Sequence, residues 1–274
     1  GAFHNSGERF NPPKCHPKTR IAILNTIRDW YRSEDISVPR IMWLYGPAGS
    51  GKSAISQSMA EECHKAGTLA ASFFFSRTAL GRNDASRLVA TIAHQIAYSI
   101  TDAQLLIQRE IENDPMVFSK SLATQLYQLV ARPLCAITPD TSGCWPKLII
   151  IDGLDECNGG EIQRAIISSF ASMATQYSIP LRIMISSRPE QSIRGTFSLP
   201  DKNWTYVSLV LGDNYESTCD IALFLWDSFL DIRNTHVLKL YIPEKWPSQH
   251  DVDILVQKSS GQFIFASTAM RYIK

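Results

Sequence analysis

Gly46, Pro47, Ala48, Gly49, Ser50, Gly51, Lys52 and Ser53 satisfy every fixed position of the pattern G-x-x-x-x-G-K-S/T. Residues of these types at this spacing bind phosphate. The glycines let the backbone turn tightly, so that successive N–H groups point inward at phosphate oxygens. The helix that follows adds its positive N-terminal end. Lys52 supplies a point charge to the β- and γ-phosphates, and the Ser53 hydroxyl can reach Mg²⁺. A loop of this kind needs a metal-binding carboxylate, and the run Leu148-Ile-Ile-Ile-Asp152-Gly-Leu-Asp155-Glu156-Cys157 provides one. Asp152, at the tip of four apolar residues, is the expected Mg²⁺ partner, through water. Asp155 and Glu156 follow on the exit loop, where either could orient an attacking water. The competing reading of each is a solvated loop acid or a helix cap. A third run, Leu181-Arg-Ile-Met-Ile-Ser-Ser-Arg188-Pro189, ends in a guanidinium whose planar donor fork matches phosphate oxygens. The competing reading of Arg188 is a surface residue in a turn before Pro189.

These residues are useful only on a scaffold that brings them together, and the pattern of apolar runs describes one. Ile41–Tyr45, Leu69–Phe75, Leu148–Ile151 and Arg182–Ser186 are apolar on consecutive residues, as strands are when helices cover both faces of a parallel sheet. Tyr206–Leu209 is a fifth, weaker candidate. Between them lie helical stripes: Ile21, Leu24, Ile27 and Tyr31; Leu88, Ile92, Ile96 and Ile100; Ile162, Ile166, Phe170, Met173 and Tyr177. All three read as packing faces. Asp114-Pro115 and Arg132-Pro133 punctuate helices, Thr138–Pro146 reads as a surface loop, and Phe263–Lys274 reads as a closing helix. The expected fold is α/β, a parallel sheet sandwiched by helices. The strand Leu69–Phe75 lies between the two motifs in sequence, which fits the phosphate-loop subgroup having a strand inserted between the nucleotide strand and the carboxylate strand. A strand next to the nucleotide strand would carry Arg188 to the γ-phosphate.

Composition sets the outer bounds. The chain has 274 residues, 45% of them hydrophobic, with 27 Lys+Arg against 26 Asp+Glu and a formal charge of +1. That balance gives no sign of a nucleic-acid surface, which usually shows as a clustered basic surplus. No apolar run approaches the ~18 residues of a membrane span, and the first residues lack the apolar stretch of a signal peptide. A start at Gly1 rather than Met is consistent with a partial chain. The six cysteines form no C-x-x-C pair, and the neighbours Cys15-His16 and Cys63-His64 point in different directions on any regular element. Reduced thiols in a cytoplasmic protein are the better reading than a metal site.

Taken together, GPAGSGKS, LIIIDGLDEC and IMISSRPE resemble the NACHT branch of the STAND signal-transduction P-loop NTPases, and most closely NACHT proteins of fungi. The lead-in Pro13–Arg20, the run Ala70–Arg77 and the run Gly261–Ser267 are similar to the same family. The resemblance spans about residues 10–274 and implies a lead-in segment and helix over 1–35, a nucleotide-binding domain over 36–212 and part of a helical lid over 213–274. It further implies an ATP/ADP-dependent, Mg²⁺-requiring switch with slow hydrolysis that self-associates in its ATP state. Gly46 to Ser53 would hold phosphates, Asp152 the Mg²⁺, Glu156 or Asp155 would support hydrolysis, and Arg188 would sense the γ-phosphate. His16, Thr19 and Arg20 would lie near the adenine, the competing reading for them being the N-terminal cap of a helix.

The chain departs from the full pattern in lacking an effector domain, a winged-helix region and repeats, so neither His236 nor His250 is assigned a phosphate contact. The guanine-reading pattern Asn/Thr-Lys-x-Asp is missing, which favours ATP over GTP. A nucleotide-stabilised scaffold with little or no hydrolysis is the alternative of a different class. A P-loop kinase would need an acceptor pocket and a basic lid, and no clustered lid arginines are visible.

Overall fold

Among the described residues, five strands form one parallel sheet in the order β2-β3-β4-β1-β5: β1 (Ile41–Tyr45), β2 (Leu69–Phe74), β3 (Leu148–Asp152), β4 (Arg182–Ser187) and β5 (Tyr206–Val210). The helices, in chain order, are α1 (Ile21–Arg32), α2 (Lys52–Lys65), α3 (Leu88–Ser99), α4 (Thr101–Asn113), α5 (Leu122–Leu126), α6 (Arg132–Cys135), α7 (Gly160–Gln176), α8 (Gln191–Phe197), α9 (Tyr215–Thr235), α10 (Gln249–Ser259) and α11 (Phe263–Ile273). This is a computed structural model, and it describes residues 1–137, 145–177, 179–199, 202–212, 215–243 and 245–274.

The consecutive apolar residues of β1, β3 and β4 are explained by burial on both faces. Ile41, Trp43, Ile149, Ile151, Ile183 and Ile185 pack with Ile92, Ile96, Ile166 and Phe170 on one side. Met42, Leu44, Ile150 and Met184 pack with Ile27, Trp30, Ile55 and Met59 on the other. The segment before β1 therefore belongs to the core of the sheet. A third, smaller core joins α9, α10 and α11 through Ile221, Leu225, Phe229, Val252, Ala266 and Met270. The strand standing between β1 and β3 in space is β4. The strand between the two motifs in sequence, β2, is at the sheet edge, where the Phe74 N–H donates to the Ala2 carbonyl.

Two local expectations need correction. Ile21 and Ile162 belong to the apolar stripes but are exposed, because α1 and α7 turn their remaining stripe residues to the sheet. Pro133 does not end a helix: α5 continues through a π-helical turn over Tyr127–Ala131 directly into α6. The wider turn accommodates a residue that lacks an N–H and crowds the carbonyl four positions back. Of the expected loop Thr138–Pro146, residues 138–144 lie outside the described residues. Among the described residues no helix is long and apolar enough to cross a membrane.

Candidate functional site

Strand β1 has β5 on one side and β4 on the other, so connections at its carboxyl end diverge and open the crevice where α/β sheets take ligands. Residues 46–51 fill the turn from β1 to α2. Gly51 is the residue before α2 and adopts φ 93°, a left-handed conformation that glycine enters without steric cost. The first turn of α2 carries no acidic side chain, and His64 and Lys65 sit in its last turn, so nothing on the helix itself opposes an anion at its start. Lys52 Nζ donates to the carbonyls of Gly46 and Pro47, both at 2.8 Å. Burial pushes its pKa down, and the nearby carboxylates of Asp155 and Asp152 act against that push.

Asp152 ends β3 and is 3% exposed. One of its oxygens accepts from the Ser186 hydroxyl at the tip of β4. A buried acid two strands from the start of α2, which bears the Ser53 hydroxyl, is a hard-oxygen donor set. It fits Mg²⁺, which takes one or two protein oxygens and completes its shell with water and phosphate. The two following acids differ in what surrounds them. Asp155 is buried and occupied: Oδ1 accepts from the backbone N–H of Arg188 at 2.9 Å, and Oδ2 pairs with Arg188 Nε at 3.2 Å. Glu156 is half-exposed, with Oε2 accepting from the backbone N–H of Arg77 at 3.0 Å. Arg77 Nη2 donates to the Asp155 carbonyl at 3.1 Å, bracing the exits of β2 and β3.

A cavity of about 670 Å³ opens over the loop. Its floor includes Gly49, Gly51, Lys52 and Ser53; Asp155, Glu156, Ser186 and Arg188 form the side toward β3 and β4. Pro12, Pro13, Lys14, Cys15, His16, Thr19 and Arg20 form a second wall, and Phe224, Phe263, Ile264, Ser267 and Arg271 a third. His16, Thr19 and Arg20 thus line the same cavity as the phosphate loop, with their polar groups engaged locally. His16 packs edge-on against Phe224 at 5.5 Å. The Thr19 hydroxyl donates to the His16 carbonyl at 2.7 Å. Arg20 occupies the position before α1 and makes no side-chain cap; its guanidinium donates to Ser217 Oγ and to the Ser50 carbonyl. The third wall escaped sequence reasoning. Ile264, Ser267 and Arg271 recur at three and four on α11, a spacing that reads equally as a packing face.

The five-stranded parallel sheet, the phosphate loop and the acid at the tip of β3 define a P-loop NTPase of the NACHT/STAND-like kind. The model of the family described as "Nephrocystin 3, N-terminal" matches residues 19–188, and the chain belongs to that family. A comparison with curated proteins returned no match. Among solved structures, the Walker-type ATPase paby2304 of Pyrococcus abyssi is 14% identical, with 95% of this chain and 74% of that one aligned at a TM-score of 0.50. That likeness is one of fold. AMPPCP-bound DnaA from Aquifex aeolicus is 10% identical over 93% of this chain, at a TM-score of 0.47. Drosophila ORC bound to DNA is 12% identical over 90% of this chain, at 0.46. The chain spans 60% of the DnaA chain and 56% of the ORC chain.

Proposed function

We propose that this chain binds a nucleoside triphosphate with Mg²⁺ and hydrolyses it slowly, as the nucleotide-binding part of a signalling switch. The observation that carries the reading is the convergence of Lys52, Glu156 and Arg188 on one cavity above the loop, with buried Asp152 bonded to Ser186 of its wall. Residues 46–53 hold the phosphates, and Ser53 and Asp152 hold Mg²⁺. When bound, the ion would neutralise charge on the β- and γ-phosphate oxygens.

The two acids take different roles. Asp155 has both oxygens engaged by Arg188, so it sets that guanidinium at the crevice, and the pairing favours the ionised acid over one that takes up a proton. Glu156 has one oxygen on a backbone N–H and the other available, which suits it to orient an attacking water. Arg188 senses the γ-phosphate from the tip of the strand next to β1. Adenine is favoured over guanine by the missing guanine-reading pattern. Self-association in the triphosphate state, and a cytoplasmic location, rest on the resemblance to NACHT proteins.

The test is to denature the purified chain and chromatograph what it releases, then to follow phosphate release with MgATP and no added acceptor. Bound ADP and slow steady release support the switch. Tight binding without turnover would replace hydrolysis with a nucleotide-stabilised scaffold. An empty protein that binds no MgATP would overturn the reading.

A further inference from the structure

Arg20 is 5% exposed and sits where three parts of the chain meet. Its Nη2 donates to the carbonyl of Ser50, inside the phosphate loop, at 3.1 Å. Its Nη1 donates to Ser217 Oγ on α9 at 2.8 Å, and its backbone N–H donates to Asp220 Oδ2 at 2.9 Å. The guanidinium also lies 4.9 Å from the ring centre of Phe263 at the start of α11. The backbone is at φ 57°, a conformation that costs a non-glycine residue free energy and persists only where surroundings enforce it. Beside it, α11 touches the loop directly. The Ile264 N–H points at the Gly49 carbonyl at 3.4 Å, and a Cβ on Gly49 would stand 2.2 Å from Ile264 Cγ2.

The peptide geometry gives these contacts a consequence. In a planar trans peptide the C=O of one residue and the N–H of the next point in opposite directions. With the Ser50 carbonyl engaged by Arg20, the Ser50–Gly51 peptide is fixed in orientation, and with it the direction of the N–H of Gly51, which lines the cavity. We infer that Arg20 is a positioning residue that presets the Gly51 N–H for phosphate, and that its hold depends on α9 and α11 being docked. Phosphate affinity and docking of the C-terminal helices are then one coupled equilibrium, each favouring the other by the same factor. This rests on the phosphate-site reading above and gives Arg20 a role other than contact with a base.

The experiment is calorimetric titration of ADP and of inorganic pyrophosphate, in Mg²⁺ buffer, into the wild type, Arg20→Ala, Ser217→Ala and Lys52→Ala. Arg20→Ala is expected to weaken both ligands by a similar factor, tenfold or more. Ser217→Ala, which leaves the guanidinium and the cavity in place, is expected to weaken both by a smaller factor. It carries the test if removal of a buried arginine prevents folding. In the wild type, pyrophosphate should slow hydrogen exchange in α9 and α11. Loss of ADP affinity in Arg20→Ala with pyrophosphate affinity intact would overturn the inference and make Arg20 a base contact. Unchanged affinity for both ligands in a folded Arg20→Ala, or exchange in α9 and α11 that ignores pyrophosphate, would also overturn it. Pyrophosphate affinity left unchanged by Lys52→Ala would instead sink the underlying phosphate-site reading.

Discussion

Asp155 grips Arg188 twice, through its backbone N–H at 2.9 Å and through Nε at 3.2 Å. Both contacts join the exit of β3 to the exit of β4, the strand lying between β3 and the phosphate-loop strand. Because the acid is buried and the arginine is half-exposed at the cavity, the pair works in one direction: the carboxylate is the fixed end and the guanidinium the presented one. Neighbouring acids on one turn, Asp155 and Glu156, are thereby given different surroundings.

Hydrolysis separates them. Glu156→Gln is expected to keep nucleotide affinity within about twofold and to slow phosphate release by ~10²-fold or more, the scale of losing a general base. Asp155→Asn is expected to lower thermal stability by about 1 kcal/mol, since it weakens a charge-assisted contact whose arginine stays solvated. Single-turnover phosphate release and thermal melts on both variants check this. If Asp155→Asn stays stable and Glu156→Gln turns over normally, the assignment is reversed.

Lys52→Ala should weaken nucleotide binding by roughly 10- to 100-fold, the equivalent of a charge-assisted hydrogen bond of about 1.5–3 kcal/mol. In the free protein that ammonium is satisfied by two loop carbonyls, so the fold should survive the change. Equilibrium titration with a fluorescent nucleotide measures the loss.

Gly49→Ala combines two penalties that can be told apart. Glycine here has φ 76°, and the new Cβ would meet Ile264 Cγ2. The single variant should lose about 2–4 kcal/mol from backbone strain and overpacking. Ile264→Ala in the same chain removes the clash but not the strain, so the double variant should lose less than the sum of the two single losses. Denaturant unfolding of all three closes the cycle.

His4 links stability to acid. Its ring is buried against β2, with Nδ1 3.2 Å from Ser72 Oγ, and burial, helped by the neighbouring His64, pushes its pKa down to about 4 from 6.5. The unfolded chain takes up this proton first, so the stabilising effect is complete above pH 6.5 and is lost as pH falls toward 4. The loss is of order 3 kcal/mol at full protonation, since one pKa unit corresponds to about 1.4 kcal/mol. His4→Gln should flatten the melting curve between pH 6.5 and 4 relative to the wild type. Parallel pH profiles for the two proteins would refute the linkage.

The sequence by itself determined the elements that local chemistry dictates. The spacing of Gly46, Gly51, Lys52 and Ser53 demands a tight turn into a helix. The consecutive apolar residues before Asp152 demand a strand buried on both faces, and the acid at its end must then fall at the ligand side of the sheet. Strand order decided the rest. Nothing local says that β4 rather than β2 separates β1 from β3, because that depends on how helices cover the two faces. The unequal surroundings of Asp155 and Glu156 follow from which loop packs against each carboxylate. The engagement of Arg20 joins residues 20, 50 and 217, whose meeting depends on the docking of α9 and on long-range burial that no periodicity encodes.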